Sequence, residues 1–159
     1  MVITEKSDKD TNSVKARLVA HGFEELTTQI HTDSSTICKE NLRLVSAIAM
    51  SNSWKIHSMD IKAAFLQGCL IDRDVFVQPP KEANTSKLWK LNSSQLYGLN
   101  DAPRSWYLKA ALELVKAGAT RSKYDQALFF WRHKGKLQGV VCFICFMTNS
   151  YPMCKRRLI

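Results

Sequence analysis

The sequence predicts an α+β domain, with a mainly antiparallel sheet and helices packed on one side. Three observations point there. Short β-type runs are broken by turn residues along the whole chain. Two amphipathic helical segments stand apart from those runs instead of alternating with them strand by strand. The last third carries two apolar runs, ALFFWRH and LQGVVCFICFM, separated by the turn residues KGK, which is the pattern of a β-hairpin.

The bulk properties suit such a domain. The chain has 159 residues, 45% hydrophobic and 23% charged, enough for one domain with a real core and too apolar for disorder throughout. Lys and Arg number 23 against 14 Asp and Glu, for a net charge of +9. That excess favours polyanionic partners, nucleic acid above all, although a merely basic soluble protein is equally compatible with charge alone. The acids are unevenly placed. The last is Asp125, while Arg132, Lys134, Lys136, Lys155, Arg156 and Arg157 follow it.

The start, MVITEKSDKD, has no apolar segment of a secretory signal, and no apolar run reaches the ~18 residues of a membrane span. The expectation is an intracellular protein, cytoplasmic or nuclear, not secreted and without a membrane partner. Its cysteines number five, an odd count that fits reduced thiols. Cys142 and Cys145 have CxxC spacing, but they lie in VVCFICFM with no second ligand pair nearby, so buried strand cysteines outweigh a metal site. His21, His31, His57 and His133 are scattered and read as structural.

Taken in order, residues 1–13 are polar and expected to fray. VKARLVAHGF (14–23) reads as a strand closed by glycine, and 24–38 as loop. In 39–52, Leu42, Val45 and Ala49, then Leu44 and Ile48, recur at helical spacing. WKIHSMDI reads as a strand ending near an aspartate, and KAAFLQG as a helical turn closed by Gly68. DVFVQ is a short strand stopped by Pro79 and Pro80, and LWKLNSS another. The clearest helix is 102–117. Asp101 is placed as its N-cap, Pro103 falls in its first turn, Leu108, Ala111, Leu112 and Val115 form an apolar stripe, and Gly118 ends it.

Two segments carry chemistry. In SMDIKAAFLQG, Asp60 closes an apolar strand, where a carboxylate can hold a divalent cation for phosphoryl transfer; a turn or cap role is the common alternative. Phe65 follows five positions later, and ordinary core packing is its alternative. In QLYGLNDAPRSWY, Gly98 permits close backbone approach, and Arg104, Trp106 and Tyr107 place charge and flat rings at a helix start. A capped amphipathic helix with buried rings would look the same.

The strings VKARLVAHGF, MDIKAAFLQG, VFVQPP, LYGLNDAPRSWY and YDQALFF, in that order, resemble copia-type retrotransposon reverse transcriptases, over about residues 14 to 143. The resemblance implies a polymerase fingers/palm fold, incomplete at the C-terminus: a partial fingers/palm domain over 14–146 and a basic tail outside the family over 147–159. It implies an RNA-directed DNA polymerase using Mg2+, with RNA template, DNA primer and dNTP as partners. Asp60 then matches the first metal-binding aspartate of the palm and Phe65 the aromatic that excludes a 2′-hydroxyl. Backbone amides from Ile61 to Phe65 would lie along the triphosphate. Lys15 or Arg17 would neutralise it. Gly98, Arg104 and Trp106 would abut the templating pair.

One departure bears on activity. Where the family carries a Tyr-Val-Asp-Asp-like turn, this chain reads ICFMTNSYPMCKRRLI, with no Asp or Glu after Asp125. The resemblance therefore implies a truncated fragment, inactive in polymerisation; a non-catalytic nucleic-acid-binding remnant or a decaying reading frame are the alternatives. The incomplete hairpin would expose an apolar edge near VVCFICF.

Overall fold

The computed structural model describes the backbone of residues 2–8, 11–25, 30–92, 95–148 and 151–158, and the side chains of 18–25, 30–92 and 95–143. Two helices and antiparallel ladders make it a mixed α+β structure, as the sequence predicts. The chain divides into two compact units: residues 1–33 with 64–108, and 34–63 with 109–159.

The first unit opens with a hairpin of β1 (Val2–Asp8) and β2 (Thr11–Arg17), so the strand read at 14–23 lies further towards the N-terminus. A second small ladder pairs β4 (Phe76–Val77) with β5 (Trp89–Lys90). The core is Ile71, Val75, Leu99 and Ala102, with Ala20, Phe65, Leu91 and Leu96 packed against it. Three of the motif strings meet around it through their backbones. The Ala20 amide donates to the Tyr97 carbonyl (2.7 Å), and the Cys69 amide to the Ser105 carbonyl (3.2 Å).

Glycine is required where these strings cross. Gly98 has φ +90°, a Cβ there would overlap the Ala20 carbonyl oxygen, and a Cβ on Gly22 would overlap that of Gly98. Close approach at Gly98 is thus a property of the fold.

The second unit holds α1 (Lys39–Ser51), β3 (Met59–Asp60) and a five-stranded sheet in the order β3-β9-β8-β7-β6. Its remaining strands are β6 (Thr120–Arg121), β7 (Leu128–His133), β8 (Lys136–Thr148) and β9 (Tyr151–Leu158). The β7–β8 hairpin is the one expected, closed by Lys134 (φ 48°) and Gly135 (φ 76°) in the left-handed region that two-residue hairpin turns need. The strand expected over 54–61 is formed only at Met59–Asp60, where β9 reaches it.

The tail corrects the expectation of a bare apolar edge. Phe143 to Phe146 of β8 pair with Leu158 to Lys155 of β9, so their backbone N–H and C=O groups have a ladder partner.

α2 (Ala102–Lys116) begins in the first unit and ends in the second. It ends as expected at Gly118 (φ +84°). The Gly118 amide donates to Val115 and the Ala119 amide to Leu114, the paired bonds of a Schellman cap, and the Trp131 indole N–H donates to the Ala117 carbonyl (3.0 Å). The buried face differs from the stripe read in the sequence. Ala102, Trp106, Tyr107 and Ala111 are buried, while Leu108, Leu112 and Val115 are exposed. A single large ring buries more area than a single aliphatic side chain, and the rotation of the helix places Trp106 and Tyr107 inside. In α1, Ala49 is buried and Leu44 exposed. At about 100° per residue Leu44 lies well round the helix from Leu42 and Ala49, so one surface cannot bury all three.

Candidate active site

Asp60 ends the edge strand β3 and is exposed. Its Cα partner across the ladder is Arg157, and that of Met59 is Leu158. The next two strands inward, β9 and β8, contain no Asp or Glu. Hard dications take several oxygen ligands, and a pair of them takes several carboxylates. The register sets a basic and an apolar residue beside Asp60 instead. Among the described residues no three His, Cys, Asp or Glu side chains gather as a cation-binding group. The residues present therefore do not fit a two-Mg2+ centre.

After Asp60 the chain turns through Lys62 and Ala63, the latter at φ 50°, into a 3-10 helix over Ala64–Gln67. Ile61 is half-buried. Phe65 is also half-buried, packs on the first unit's core and meets the Tyr97 ring edge-on, with centroids 6.0 Å apart. Asp60 and Ile61 belong to the second unit, whereas Phe65, Gly98, Arg104 and Trp106 belong to the first.

In the first unit the turn closed by Gly68 rests on α2. A Cβ on Gly68 would come within 3.0 Å of the Ser105 Cβ and 3.1 Å of the Trp106 amide. Buried Gln95 donates to the Ser105 hydroxyl (2.8 Å). Trp106 is buried, and the Arg104 guanidinium is engaged with the Asp33 carboxylate at 2.5 Å. Lys15 and Arg17 lie on β2, and their side chains fall outside the described residues.

Two arrangements were missed by sequence reasoning. Arg73 bridges Glu25 (2.5 Å) and Asp101 (3.2 Å), so the Asp101 carboxylate at the start of α2 pairs with a cation. Burial disfavours the Arg73 charge, but the bonds and field of Glu25 and Asp101 outweigh it and raise its pKa. Asp125 accepts from the Cys38 and Ala127 amides and from the Asn41 side chain, and so ties the turn before β7 to the N-terminus of α1. Burial raises its pKa and these bonds lower it further, for a net depression. The one signal in the sequence was a lone acid in the apolar stretch YDQALFF. Cys142 is fully buried, and desolvation, aided by the Asp125 charge, pushes its thiol up to about 11.

The family is shown by comparison. A family model described as reverse transcriptase (RNA-dependent DNA polymerase) matches residues 1–145, and the chain belongs to that family. It is 37% identical over 128 residues to the retrovirus-related Pol polyprotein from transposon RE1 of Arabidopsis thaliana, covering 77% of this chain and 9% of the relative. The RE2 polyprotein of the same plant is 35% identical with the same coverage. That from transposon TNT 1-94 of Nicotiana tabacum is 32% identical over 136 residues, 80% of this chain and 10% of the relative. The retrotransposon resemblance drawn from the five strings is thus borne out, and the chain spans about a tenth of the length of these relatives. No solved structure matches it. Among the described residues no helix is long and apolar enough to cross a membrane.

Proposed function

We propose that the chain is a fingers-and-palm-type part of a copia-type reverse transcriptase that, as these 159 residues, handles nucleic acid without polymerising it. The observation that carries this reading is the surroundings of Asp60: an exposed carboxylate whose ladder partner is Arg157, in a sheet whose neighbouring strands bring no second acid. Without clustered carboxylates, two cations bridging primer and triphosphate would be poorly neutralised. Asp60, Ile61 and Phe65 keep the family's nucleotide-side positions, and Lys15 and Arg17 its basic strand. Gly98, Arg104 and Trp106 hold the element that abuts the template.

Primer extension tests this, using oligo(dT) on poly(rA) with Mg2+ and dTTP. The expected result is no incorporation by the chain or by Asp60→Asn. Incorporation that disappears in Asp60→Asn would show that Asp60 gains its companions and that the reading is wrong.

A further inference from the structure

We draw no further inference here: the strongest candidate, the exposed apolar stripe of Leu108, Leu112 and Val115 along α2, carries nothing because the structure does not show what covers it.

Discussion

The carboxylate of Asp125 accepts a hydrogen bond of 2.8 Å from the side chain of Asn41, 84 residues earlier in the chain. The same carboxylate oxygen takes the amide of Cys38, the residue that caps α1, at 3.2 Å. An acid supplied from far along the sequence thus serves a helix N-terminus, where N–H groups lack partners and negative charge is favoured.

Asp125→Asn should therefore destabilise the chain by about 2 kcal/mol at neutral pH, since buried donors lose a charged acceptor. The native pKa is depressed below the ordinary value of 3.8, so the Asp125 contribution is present above that value and is lost as pH falls through the lower native one. Urea titrations of both forms from pH 7 to pH 2 check this; the difference between them should shrink on the acid side.

Gly98→Ala should cost about 3 kcal/mol, combining a left-handed backbone with overlap on the Ala20 carbonyl. Gly118→Ala has an open neighbourhood, its nearest contact being Trp131 Nε1 at 4.0 Å, and should cost only about 1 kcal/mol from its φ. Chemical denaturation of the two variants side by side separates steric overlap from backbone strain; equal losses would contradict the crossing at Gly98.

Removal of the Arg73 side chain leaves Glu25 and Asp101, both largely buried, without their shared cation. Arg73→Ala should destabilise by about 3 kcal/mol. Arg73→Met with Glu25→Gln and Asp101→Asn should recover part of that, because no uncompensated charge is left. Midpoints of thermal unfolding measure both.

Cys38 is exposed and Cys142 buried, and burial first, then the Asp125 charge, holds the Cys142 thiol at about 11. A thiol-specific disulfide reagent at pH 8 should modify Cys38 quickly and Cys142 only on unfolding. The raised value also has a sign. The stabilisation from the protonated native thiol is complete below the unfolded value of 9.0 and is lost as pH rises towards about 11. Cys142→Ala should remove that alkaline loss while leaving a small cavity.

Local rules carried much of the fold. The helix over Lys39–Ser51, the helix over Ala102–Lys116 with its glycine stop, and the hairpin turn at Lys134–Gly135 all follow from periodicity, caps and turn chemistry, which act within a few residues. The family too was legible, because it resides in the order and spacing of short strings. Which face of α2 is buried was not, since Trp106 and Tyr107 compete with Leu108, Leu112 and Val115 and only the packed neighbours decide.

The sequence by itself determined that this chain belongs with reverse transcriptases and that no acid follows Asp125, because both are properties of residue order. Only the tertiary structure decided that Arg157 pairs opposite Asp60, that Asp125 is spent on holding α1, and that Arg73 joins Glu25 to Asp101. Such partners lie tens of residues apart, and no local propensity encodes a pairing that forms only once strands take their register and helices their rotation.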